Sequence, residues 1–296
     1  MNMKKISKNL LKILFAFLLV ITMIPRVNAQ SAYYTNSKGV VMTQSQYEFL
    51  ASMYSETKID NFSQDQFNRR VYADVHTTED VYVIEEQIKD PNGNLLDTNV
   101  MELTEEEYRL YKENSESNIM PATANSVTTS EVKMTLQVYT HTASQSVSID
   151  LSTRWLNGAP SVKSFDVSAF RFTTTSNLQL SRFDAEGYQD SDAGSVVYSN
   201  EGGNSMWEPN AYGTSMNILD NANNSLTLEI GAEYYYFGSG TLRVTGTYQH
   251  ATRNVTLAQS QSYNFSANGC GGVVEFYNNV GNYYNSNPGV SLSHSL

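Results

Sequence analysis

Residues 226–248 read LTLEIGAEYYYFGSGTLRVTGTY. Leu226, Leu228, Ile230, Ala232, Tyr234 and Tyr236 share one side of an extended chain, and Leu242, Val244, Gly246 and Tyr248 resume the pattern after Gly238-Ser239-Gly240. Side chains alternate between faces along a strand, so a period of two predicts two strands, joined here at the glycines as a hairpin. The same period runs upstream. Val132, Met134, Leu136 and Val138 alternate with Lys133, Thr135, Gln137 and Tyr139. Val147, Ile149 and Leu151 follow, then Phe165, Val167 and Ala169 beyond a break at Asn157-Gly158-Ala159-Pro160. Residues 255–257, 263–265 and 273–276 are shorter strand candidates. Clean alternation gives each sheet one buried and one wet face, and no helical pattern separates these strands as βαβ units would require. The expected fold is mainly β, with an antiparallel β-sandwich, jelly-roll-like, over residues 131–296.

Ahead of the sandwich, residues 30–112 read as a small α+β module of short capped helices and a hairpin. One local pattern recurs, as Met42-Thr43-Gln44-Ser45-Gln46-Tyr47, Phe62-Ser63-Gln64-Asp65-Gln66-Phe67 and Leu103-Thr104-Glu105-Glu106-Glu107-Tyr108. Each is a capping box with a hydrophobic staple: the hydroxyl caps an amide of the first turn, the Gln or Glu reaches back, and the flanking apolar side chains meet. Three helix starts follow. Residues 81–88 alternate as a strand, Asp90-Pro91-Asn92-Gly93-Asn94 turns, and Leu95 to Met101 returns. The polar run 113–130 is the expected linker.

The first 29 residues have another character. Lys4, Lys5 and Lys8 precede an apolar run from Ile13 to Ile24, and Val27-Asn28-Ala29 supplies the small residues of a cleavage site. Twelve helical residues rise about 18 Å, short of a bilayer core of about 30 Å, so residues 1–29 read as a signal peptide cut between Ala29 and Gln30. Cleavage removes Lys4, Lys5, Lys8, Lys12 and Arg26 and no acid, leaving 14 basic residues against 30 acidic ones. A secreted, extracellular, acidic protein with no stable membrane anchor is expected, of the kind bacteria export. Its net negative charge, with no basic block, argues against nucleic acid as the natural partner. Asn61, Asn223, Asn254 and Asn264 begin Asn-x-Ser/Thr triplets, relevant only where the chain is made in a glycosylating pathway.

Reactive motifs are sparse. His76, His141, His250 and His294 are not set at metal-ligand spacing, and His141 and His250 are expected at surface or edge positions. No G-x-S-x-G elbow occurs, and the single Cys270, among glycines before Val273, reads as a buried thiol. Asp184, Glu186, Asp190 and Asp192 form an acidic segment in which Asp190, Asp192 and Glu201 partly follow a calcium-loop spacing, although Gly194 and Ser195 break it. Glu229 and Glu233 are expected on a wet strand face. Among the aromatics, Tyr139, Trp207 and Tyr235 are the candidate ligand contacts. No cofactor is implied.

Three readings follow. The first is a secreted non-enzymatic module that binds an extracellular polymer or protein. The second is a β-barrel pore-former inserting the hairpin from Thr128 to Thr153. The third is a hydrolase whose site assembles in space. N-terminal sequencing of the exported product is expected to begin at Gln30; a product retaining Met1 would overturn the export reading.

Overall fold

A computed structural model describes residues 33–117, 126–160, 162–175, 177–199, 213–220, 222–265, 273–285 and 289–296. The expected signal peptide with its Ala29/Gln30 cut, and Glu201, Trp207 and Cys270, lie outside them. The chain opens with a short hairpin, β1 (Tyr33–Thr35) and β2 (Val41–Thr43), then three short helices, α1 (Gln44–Ala51), α2 (Glu56–Asn61) and α3 (Gln64–Val71). A long hairpin follows, β3 (Val75–Lys89) and β4 (Leu95–Leu103), and then α4 (Glu105–Ser117). Next come β5 (Ser126–His141), β6 (Ser146–Trp155), β7 (Phe165–Thr174), β8 (Gln179–Ser191), β9 (Gly194–Ser199) and β10 (Gly213–Leu219). The chain continues through β11 (Leu226–Phe237), β12 (Thr241–Gln249), α5 (Leu257–Ser260), β13 (Tyr263–Phe265), β14 (Val274–Phe276) and β15 (Gly289–Ser295).

Two antiparallel sheets carry the fold. One has seven strands in the order β4-β3-β5-β6-β11-β8-β9, the other four in the order β10-β7-β12-β15. Their facing sides share one core. Met134, Leu136, Val138, Ile149, Leu151, Leu228 and Ile230 come from the larger sheet, and Phe170, Phe172, Met216, Leu242, Val244 and Val290 from the smaller. The expected sandwich is therefore present. β13 and β14 form a separate two-stranded ribbon over the far end of β7, around Tyr263, Phe265 and Tyr284.

The three expected helix starts also form as read. Gln46 N–H donates to Thr43 Oγ1 at 3.2 Å while the Gln46 side chain accepts from Thr43 N–H at 2.8 Å. Ser63 with Gln66, and Thr104 with Glu107, repeat the exchange. A fourth box, Thr256 with Gln259, starts α5. It corrects the expectation of a strand at 255–257: a reciprocal cap satisfies amides that a lone short strand would leave open.

Two further expectations change. Residues 113–117 belong to α4 and 126–130 to β5, so the linker reading fails at both ends. β3 hydrogen-bonds to β5 along its whole length, from Val75 opposite Thr140 to Lys89 opposite Ser126, which builds the N-terminal hairpin into the sandwich sheet. Nor do β11 and β12 form a hairpin. β11 lies between β6 and β8, and β12 between β7 and β15, so Gly238-Ser239-Gly240 is a corner between layers. Gly238 sits at φ +83°, the left-handed region, and a Cβ there would overlap the carbonyl oxygen of Asn177. Period two shows that a strand has two faces; it does not say which neighbour it pairs.

Gly238→Ala is expected to destabilise the chain by about 2–4 kcal/mol, from left-handed backbone strain plus overlap. Urea unfolding measures it, and a loss under about 0.5 kcal/mol, the size of an ordinary surface substitution, would contradict the corner geometry.

Candidate functional site

The outer face of the seven-stranded sheet, turned away from the core, is polar. Its register sets Thr78, Gln137, Asp150, Gly231 and Glu186 in one row across β3, β5, β6, β11 and β8. The next row is Asp80, Thr135, Ser152, Glu229 and Tyr188. Three regions of this face have different covers: a helical cap, an open groove and an exposed aromatic pair.

The cap is α1–α3. Leu50, Tyr54, Ile59, Phe62 and Phe67 form its apolar underside, yet it also brings cations into the interior. Lys58 Nζ lies 3.0 Å from Asp150 Oδ1, and Arg70 spans the same carboxylate, Nη2 to Oδ1 at 3.0 Å and Nε to Oδ2 at 3.1 Å. The Tyr54 hydroxyl donates to Oδ2 at 2.8 Å. Arg70 Nη1 also reaches Glu233 at 3.2 Å, where Arg69 makes a second ion pair. Glu229 accepts from the amide and hydroxyl of Ser55, the N-cap of α2, and Gln66 donates to Glu186 at 2.8 Å. Gly231 faces Asp150 because a Cβ there would collide with Oδ1.

Burial alone would raise the Asp150 carboxyl, but Arg70 and then Lys58 outweigh it and hold it far below the ordinary carboxylate range. Glu229 and Glu233 stay raised, with burial the leading cause. These contacts correct three expectations. Glu229, Glu233 and Tyr139 are buried, because the polar face of β5 and β11 is roofed by helices rather than wetted. Tyr139 cannot be a ligand contact: its hydroxyl donates to Gln137, and its ring stacks under His76 at 4.3 Å. The cap's apolar faces were the sequence signal for a roof, but nothing local said which sheet face they cover.

His250 also departs from expectation. It is buried, with Nδ1 3.0 Å from Asp166, whose carboxylate further takes the Tyr248 hydroxyl and the Ala251 amide. Burial pulls the imidazolium down, and Asp166 more than offsets this and lifts His250 above its usual value. The ring stands edge-on to Trp155 at 5.6 Å, so the pair braces the end of the sandwich.

Between α1 and α4 the outer face stays open. Thr78, Asp80, Lys133, Thr135, Ser152 and Arg154 floor a groove of about 230 Å³, edged by Ser52, Met53 and His76 on one side and Leu156 on the other. Asp80 ties its centre, paired with Lys133 at 2.7 Å and accepting from the Thr135 hydroxyl at 2.6 Å. Desolvation lowers Lys133, but the hydrogen bond and charge of Asp80 prevail and raise it, so the groove carries a fixed cation. At its far end α4 covers the sheet corner, Tyr108 stacking on Tyr82 at 4.4 Å and Lys112 pairing with Glu131 at 3.2 Å.

Tyr235, as expected, is exposed. It stacks on Phe183 at 4.3 Å, and Phe183 is the extra residue where the β8–β11 register shifts. Arg69 lies 5.3 Å over Phe183, and Phe237 is exposed two positions further along β11. The hairpin from Thr128 to Thr153 is β5–β6, central in the sheet and hydrogen-bonded on both edges by β3 and β11.

The acidic segment forms the β8–β9 hairpin. Asp190 accepts from Ser195 at 2.8 Å, and Asp192 accepts the amides of Asn223 at 2.8 Å and Asn224 at 3.2 Å. Those amides, Asn223 foremost, bring Asp192 down to about 2. Asp192 thus pins the hairpin to the approach to β11. Among the described residues no group of three His, Cys, Asp or Glu is placed to hold a metal ion, and none of their helices is long and apolar enough to cross a membrane.

No family model matches the chain, and no curated protein matches it. Among solved structures it is similar to the KRT10-binding region domain of the pneumococcal serine rich repeat protein PsrP. That match has 12% identity and a TM-score of 0.27, and covers 59% of this chain and 88% of that one. A second, BspA_C_WT, has 7% identity and a TM-score of 0.22, with 57% and 79% covered.

Asp150→Asn would leave Lys58 buried without its paired carboxylate and Arg70 with Glu233 alone, and is expected to cost about 3–5 kcal/mol. Because the folded-state value is depressed, the Asp150 contribution is present above the unfolded carboxylate range and is lost as pH falls through the lower, folded-state value. Urea unfolding of the variant tests the cost; an unchanged midpoint would show that the cap is held by its apolar contacts alone.

Proposed function

We propose that the chain is an exported, non-enzymatic β-sandwich module that binds an extracellular polymer or protein on the outer face of its seven-stranded sheet. The supporting observation is the groove between the two helical covers. A sheet face that needed only solubility would scatter its charges; here hydroxyls, the Gln137 amide and an ordered Asp80–Lys133 pair line one concavity, edged by Ser52 and Met53 just after α1 and by Leu156 just after β6. Few convergent polar groups on a rigid floor fix orientation at a binding site. Tyr235 and Phe183, beyond the far side of the cap, give the same face an aromatic anchor of the kind that dominates protein contacts.

Binding of residues 30–296 to immobilised cell-wall glycans and matrix proteins tests this reading, with Ser152→Trp as the blocking variant. Ser152 is half-buried on the groove floor, so an indole there fills the concavity and is expected to weaken binding at least about tenfold, a loss of about 1.4 kcal/mol. Full binding by a folded Ser152→Trp protein, no binding by the unaltered protein, or turnover of any bound polymer would sink it.

A further inference from the structure

We infer that the groove receives a carboxylated sugar of an extracellular polysaccharide, with Arg154 as the group that takes the carboxylate; the inference rests on the binding reading above. Arg154 and Lys133 stand directly opposite each other on β6 and β5. Like charges so placed destabilise a sheet. Elsewhere on this face the cations are matched: Lys58 and Arg70 to Asp150, Arg69 to Glu233. In the groove Asp80 neutralises Lys133. Arg154 remains, exposed on the floor, with no carboxylate partner among the described residues.

The groups beside it narrow the ligand. A guanidinium is a planar fork that meets a carboxylate with two parallel hydrogen bonds. Thr78 and Ser152 on the same floor carry hydroxyls, each able to donate and accept, as sugar hydroxyls require. A small anion alone would use the guanidinium and leave these idle; a neutral glycan would use them and leave the charge facing water. At about 230 Å³ the groove falls below the range of roughly 300–1,000 Å³ that encloses a drug-sized ligand. It suits a short stretch of a longer polymer lying across an open floor.

Polygalacturonate, its methyl ester and dextran sulfate are the probes, measured by calorimetry against residues 30–296 and against Arg154→Gln, Arg154→Lys and Ser152→Trp. Polygalacturonate is expected to bind about 10- to 100-fold more tightly than its ester, the range of one charge-assisted bidentate contact. Arg154→Gln should erase that preference, and Arg154→Lys should restore part of it. Equal binding of acid and ester, a preference that survives Arg154→Gln, tighter binding of dextran sulfate, or no binding of any probe would overturn the carboxylate assignment. Equal binding that Ser152→Trp abolishes would overturn that assignment and keep the groove as the binding site. Acid-dependent binding that Ser152→Trp leaves intact would overturn both.

Discussion

A single buried carboxylate holds the architecture of the outer face. Asp150 takes Lys58 from α2, Arg70 from α3 and the hydroxyl of Tyr54, so three parts of the N-terminal cap converge on one residue of β6. Desolvating any of these ions by itself would cost several kcal/mol, and the arrangement survives only because each is met with good geometry. Glu233 and Glu229 extend the contact to β11. The cap is thereby fixed in position as well as attached. An apolar underside alone could slide over a sheet; cations seated on chosen carboxylates cannot.

That fixed position decides what the sheet has left to offer. With α1–α3 seated over the β5–β8 side and α4 over the β3 corner, the uncovered floor is the strip holding Thr78, Asp80, Lys133, Thr135, Ser152 and Arg154. Tyr235 and Phe183 emerge beyond the cap's other margin. Groove and aromatic pair are parts of the same surface that the helices leave bare, which is why one reading accounts for both.

Much of this was legible in the sequence, and the gaps have physical causes. Period two in Val132 to Val138 and in Leu226 to Tyr236 identified strands because the sandwich core sees every second residue. Thr43 with Gln46, and Ser63 with Gln66, declared helix starts because a capping box is wholly local. What went unread was long-range. The partner of β11 depends on a corner at Gly238, and the burial of Tyr139, Glu229 and Glu233 depends on helices about 85 to 174 residues away in sequence. Carboxylates on a strand look wetted until a cation elsewhere in the chain is known to reach them. Arg154 gave no signal at all, since its meaning comes from Lys133 across the strand pair.

The span of those contacts has a consequence for how the chain assembles. Helices α1–α3 come early in the chain, yet Arg70 waits for Glu233, 163 positions later, and Ser55 for Glu229, 174 positions later. Short helices alone are marginal in water, so the capped segments gain their lasting shape only when β11 has threaded between β6 and β8. Contacts of such separation are slow to form. The cap, made before the strands it sits on, is therefore among the last parts to settle, and until then its cations stand open to whatever holds nascent chains apart.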